Sequence, residues 1–97
     1  MDQERKPVIL VVDDDAALRD AIASCLQING FSVFQSDSGN GAFEFLQQNV
    51  VNAVLTDVWM PGGDGFQLLK NIKTWRPSLP VIIFFSVSEQ LPKLETL

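Results

Sequence analysis

Val8-Ile9-Leu10-Val11-Val12 runs directly into Asp13-Asp14-Asp15. The apolar run has no polar alternation, which describes a strand covered on both faces, as in a parallel sheet. Asp15 stands where it can cap a helix, and Leu18, Ile22, Cys25 and Leu26 follow at helical spacing. Asn29-Gly30 supplies residues that tolerate the left-handed conformation at that helix's end. Phe31-Ser32-Val33-Phe34 predicts a second strand, the polar stretch 36–40 a loop, and Gly41–Gln48 a short helix burying Phe43, Phe45 and Leu46. Ala53-Val54-Leu55-Thr56 predicts a third strand ending at Asp57, followed by the turn-rich Met60-Pro61-Gly62-Gly63. Asp64 caps the next helix, with Phe66, Leu69 and Ile72 inward and Pro77 at its end. Val81-Ile82-Ile83-Phe84-Phe85 predicts a fourth strand, again buried on both faces. Strand and helix alternate throughout, so the expected fold is α/β, a doubly wound parallel sheet with right-handed crossovers.

Composition narrows the function. The 97 residues suit a single domain, 1–97, and 46% of them are hydrophobic, enough for a packed core. The longest apolar runs fall far short of the ~20 residues a membrane span needs. The charged start, Met1 to Lys6, carries no signal-peptide core. The single cysteine, Cys25, cannot form an internal disulfide and reads as a small buried hydrophobe. A cytoplasmic protein with no membrane association is expected. The net charge of −5 and the lack of a basic cluster argue against direct nucleic-acid binding. There is no histidine, which leaves carboxylates to carry the chemistry.

Ligands of such sheets bind beyond the carboxyl ends of the strands. Asp13, Asp14 and Asp15 stand there after strand one, Asp57 after strand three and Ser86 after strand four. Strands one and three neighbour each other across the switch point, so Asp13, Asp14 and Asp57 converge. Clustered carboxylates repel, and a hard divalent cation with oxygen ligands relieves them, Mg²⁺ first and Mn²⁺ as a substitute. The cation would let an anionic phosphoryl group approach an anionic carboxylate. The Ser86 hydroxyl is placed to donate to a phosphoryl oxygen. The plainer alternatives are a capping cluster for Asp13–Asp15, a lone polar strand end for Asp57, and packing roles for Trp59 and Trp75. Three aspartates in a row are more than a cap requires.

Three segments together resemble the receiver domain of two-component response regulators: Val11-Val12-Asp13-Asp14, Thr56-Asp57-Val58-Trp59-Met60-Pro61-Gly62-Gly63-Asp64-Gly65, and Val81 to Ser86. The resemblance covers Pro7 to Ser88. It implies the flavodoxin-like receiver fold with strand order 2-1-3-4. It also implies Asp57 as phosphoacceptor, Asp14 as a direct Mg²⁺ ligand, Asp13 acting through water, the Trp59 backbone carbonyl as a further ligand, and Ser86 as the switch hydroxyl. The implied phosphoryl donor is a histidine kinase or phosphotransfer protein, and the implied role is a signalling switch, not an enzyme beyond slow self-phosphorylation and dephosphorylation. Family members continue with a helix, a fifth strand ending in Lys-Pro and a last helix, whereas this chain stops at Leu97, and Lys93 lies too early to match that lysine. The expectation is a carboxyl-terminally truncated receiver whose bare strand four, or the Leu91–Leu97 tail, lies at the centre of a homodimer. Two other readings compete: an interaction and dimerisation module that is never phosphorylated, and a haloacid-dehalogenase-type phosphatase. The latter is disfavoured because Ala17 stands where that superfamily has Thr or Val.

Overall fold

The computed structural model describes residues 5–60 and 64–85. Its elements alternate as β1 (Val8–Val12), α1 (Ala16–Ile28), β2 (Ser32–Ser36), α2 (Gly39–Gln48), β3 (Ala53–Asp57), α3 (Gly65–Trp75) and β4 (Val81–Phe84). The strands form one four-stranded sheet in the order β2-β1-β3-β4, and every pairing is parallel. Fold class and strand order are those read from the sequence.

Side-chain pleat divides the core between two faces. Leu10, Val12 and Val54 point to one face, where Ala42 and Leu46 of α2 and Leu68 and Ile72 of α3 close over them. An edge-to-face contact between Phe43 and Trp75, ring centroids 5.6 Å apart, ties α2 to α3. On the other face α1 lies against β1 and β2 and buries Ala23. The helix ends follow from local chemistry. The side chain of Asp15 accepts from the backbone of Ala17 and Leu18, Ser38 accepts from Gly41 and Asp64 from Gln67. Gly30 closes α1 at φ +95°, a conformation costly for a residue with a Cβ.

Several sequence expectations need correction. β2 begins and ends later than expected, and α2 starts at Gly39 because Ser38 caps it, so the loop over 36–40 is shorter. Cys25 is exposed, not buried. Leu18, Ile22 and Leu26 of α1 are half-buried as expected, while Ala23 is buried and Arg19 half-buried beside them and Cys25 lies outside the stripe. On α3 the inward row is Gly65, Leu68 and Ile72, while Phe66 is 54% exposed. β4 is not covered on both faces: Ile82 is 58% exposed, and Phe85, just after the strand, 63%. Ile82 pairs with Leu55 on the face that α1 covers only over β1 and β2. Ser86 and the tail to Leu97 lie outside the described residues, as do Pro61, Gly62 and Gly63.

The rotated row of α3 has a measurable consequence. Ile72→Ala should cost ~2–5 kcal/mol in denaturant unfolding, as expected for a large-to-small change in a closed core. Phe66→Ala should cost under ~1 kcal/mol, in keeping with its exposure. Equal losses would mean that the helix presents the other row.

Candidate metal and phosphoacceptor site

β1 and β3 lie side by side in register, Val12 opposite Thr56, so Asp13 and Asp57 emerge together from the carboxyl edge of the sheet. Asp14 is the next residue in the turn toward α1. One carboxylate oxygen from each of Asp13, Asp14 and Asp57 lies within 4.8 Å of the others. Burial divides the trio: Asp13 is 0% exposed and Asp57 1%, whereas Asp14 faces solvent. The sequence expectation that these residues converge is therefore met.

Each buried carboxylate is held by backbone. Asp13 Oδ1 accepts from the Asp15 N–H at 2.9 Å, and Asp57 Oδ1 accepts from the Val58 N–H at 2.7 Å. Asp13 Oδ2 is buried without a hydrogen-bond partner among the described residues. A buried carboxylate oxygen left unsatisfied is costly. Burial raises the Asp13 carboxyl from its usual 3.8 to about 6, and the negative charges of Asp57, Asp14 and Asp15 push the same way, against the hydrogen bond from Asp15. Oxygen-only donors, net negative charge and an orphaned buried oxygen fit a hard divalent cation.

The approach to the site is shaped by residues on either side of Asp57. Trp59 is 54% exposed, so the segment after β3 presents an aromatic side chain to solvent next to the acidic residues. Thr56 is buried and its hydroxyl donates to the Asp57 carbonyl at 3.0 Å. Gly65 opens α3, and its N–H donates to the Val58 carbonyl at 3.0 Å. A Cβ at this position would collide with the Asp57 carbonyl oxygen, so only glycine lets the helix sit this close. Its place after the Asp64 cap was visible in sequence, but its contact with the Asp57 backbone was not. Also missed was Arg19, which donates to the Asp13 carbonyl from the first turns of α1.

A parallel α/β sheet in the order 2-1-3-4, with buried carboxylates at the ends of its two central strands, defines a class of acidic-pocket proteins. The chain belongs to the response regulator receiver domain family, whose model matches residues 9–96. It is 41% identical over 75 residues to the response regulator protein FleR of Pseudomonas aeruginosa, a match covering 77% of this chain and 16% of that one. It is 36% identical over 90 residues to the response regulator MprA of a Mycobacterium species, covering 90% of this chain and 39% of that one. The chain thus spans well under half the length of these curated relatives. The crystal structure of the response regulator TrrA from Thermotoga maritima, in complex with Mg²⁺-BeF, superposes with a TM-score of 0.81 at 24% identity, over 93% of this chain and 78% of that one. No helix among the described residues is long and apolar enough to cross a membrane.

The raised Asp13 carboxyl makes a signed prediction. Between pH 3.8 and about 6 the folded chain binds more protons than the unfolded one, so the destabilisation from Asp13 appears as pH rises through about 6. In EDTA, Asp13→Asn should stabilise the protein at pH 7.5 by on the order of 1–3 kcal/mol, and by less at pH 5. Thermal melts of both proteins at the two pH values measure this. A gain that is the same or larger at pH 5 would contradict the assignment.

Proposed function

We propose that the chain is a phosphorelay receiver in which Asp57 accepts a phosphoryl group from a histidine kinase or phosphotransfer protein, with Mg²⁺ (or Mn²⁺) at the acidic pocket. The observation that carries the reading is the convergence of Asp13, Asp14 and Asp57, with one buried oxygen of Asp13 unsatisfied among the described residues. Membership of the receiver family supports it. Asp14, Asp57 and the backbone carbonyl of Trp59 would hold the metal, with Asp13 acting largely through water. When bound, the metal offsets the charge of the carboxylates and of the incoming phosphoryl oxygens.

A carboxylate oxygen of Asp57 attacks phosphorus, a P–O bond forms, the P–N bond to the donor imidazole breaks, and the imidazole leaves with the bonding pair. The product is an acyl phosphate, later returned to carboxylate by water. The backbone N–H of Val58 holds the carboxylate in place. Burial of Asp57 keeps bulk water from its carboxylate. Ser86 is assigned to a phosphoryl oxygen by resemblance alone, since it lies outside the described residues. The domain works as a signalling switch in the cytoplasm, with at most slow self-phosphorylation and dephosphorylation.

Incubation with Mg²⁺ and acetyl phosphate should give an alkali-labile label on Asp57, located by mass spectrometry. Asp57→Asn should remove it, and Asp14→Ala should reduce it at least ~10-fold, as loss of one charge-stabilising contact typically does. A label on Ser86 or Ser88, or one indifferent to Mg²⁺, would sink the reading.

The second reading, a receiver-shaped interaction module that is never phosphorylated, draws on a different observation. β4 lies at the edge of the described sheet, and Ile82 and Phe85 beside it are exposed. Edge pairing between two copies through β4 would cover these residues and give a homodimer. Sedimentation at micromolar concentration should then show a dimer that Ile82→Glu dissociates. A dimer together with no label under any phosphodonor would favour this reading over the first.

A further inference from the structure

The ladder between β1 and β2 runs out at the site. Asp13 N–H still donates to the Ser36 carbonyl at 3.1 Å, and β2 ends at Ser36. Past the end of β2, the carbonyl of Asp13 is met by a side chain, that of Arg19. Its Nη1 donates to the Asp13 carbonyl oxygen at 2.8 Å, and its Nε donates to Gln35 Oε1, also at 2.8 Å. One planar guanidinium thus joins the last residue of the acidic strand end to β2 across α1. A lysine could reach one of these acceptors but could not span both with fixed geometry.

The carbonyl that Arg19 holds belongs to the peptide group joining Asp13 to Asp14. Its orientation sets the direction in which Asp14 leaves the chain. Asp14 needs this more than its neighbours: it is exposed, and no hydrogen bond among the described residues holds its carboxylate. Asp13 and Asp57 are instead fixed by burial and by backbone N–H groups. We infer that Arg19, anchored by Gln35, is a positioning residue that aims Asp14 at the metal through the Asp13–Asp14 peptide. The inference rests on the metal-site reading above and adds residues outside the acidic cluster. Arg19 touches neither the metal nor the phosphoryl group; it acts through the backbone.

The test is Mg²⁺ titration of the full chain at pH 7.5, read by tryptophan fluorescence and by calorimetry, beside thermal melts. Arg19→Ala should weaken Mg²⁺ about 10-fold, the lower end of what loss of a ligand-orienting group costs. Arg19→Lys should fall between it and wild type, and Gln35→Ala should weaken binding a few-fold with Arg19 intact. Asn52→Ala is the structural control, because the Asn52 side chain accepts from the Val8 N–H at the opposite end of β1. It should lower the melting temperature and leave Mg²⁺ affinity unchanged. Wild-type affinity in a folded Arg19→Ala protein, or an equal loss in Asn52→Ala, would overturn the inference and leave the metal site standing. If Arg19→Ala does not fold, Arg19→Lys and Gln35→Ala decide, and wild-type affinity in both overturns it. A wild-type chain that binds no Mg²⁺ would remove the metal site itself and this inference with it.

Discussion

Two carboxylates buried side by side at the ends of β1 and β3 set the terms for the rest of the structure. Asp13 and Asp57 are almost wholly withdrawn from water, and the charges of Asp57, Asp14 and Asp15 all push the Asp13 carboxyl up. Such burial costs stability unless hydrogen bonds or a cation offset it. Backbone N–H groups supply part of the offset, from Asp15 to Asp13 and from Val58 to Asp57. The remainder falls on one oxygen of Asp13, unsatisfied among the described residues, and on a carboxyl pushed up to about 6. The surrounding core of Leu10, Val12, Val54, Leu68 and Ile72 carries that cost, because it is fully closed where the strands end.

Much of this was legible in the sequence, for a physical reason. Strands buried on both faces write themselves as unbroken apolar runs, and a parallel sheet delivers its polar residues to one edge. The run at Val8–Val12 and the aspartates after it therefore fixed both the fold and the place of the site. The caps at Asp15 and Asp64 were equally plain, since a helix start needs a side-chain acceptor. The rotation of the helices was not. On α1 the apolar positions Leu18, Ile22 and Leu26 do turn toward the sheet, but Cys25 does not, and Arg19 and Ala23 turn inward with them: one has a carbonyl to meet and the other is small enough to pack close. On α3 the count favours Phe66, yet Gly65 alone can lie against the Asp57 carbonyl, and that contact turns the Leu68 and Ile72 row to the core. Polar and small residues decided both faces, and hydrophobic periodicity is blind to them. The unbroken run at Val81–Phe85 reads as covered on both faces, because a strand's own sequence cannot say whether a helix lies over it, and the exposure of Ile82 agrees instead with the expectation of a bare strand four.

The two helices with inward residues that the apolar pattern did not show, α1 and α3, are those that grip the site. Arg19 of α1 holds the Asp13 carbonyl, and Gly65 of α3 abuts the Asp57 carbonyl while its N–H binds Val58. Each acidic strand end is thus clamped on its backbone by the helix that follows its strand. A close-packed contact of this kind leaves no slack. A shift of Asp57 by a few tenths of an ångström must be passed to the first turn of α3, and a shift of Asp13 must be passed to Arg19 and on to Gln35 of β2. Asp14 is the exposed member of the trio, and no hydrogen bond among the described residues holds its carboxylate, so its direction depends on the Asp13–Asp14 peptide whose carbonyl Arg19 holds. The two buried carboxylates are held directly and the third through its backbone, according to the point at which each chain segment leaves the sheet.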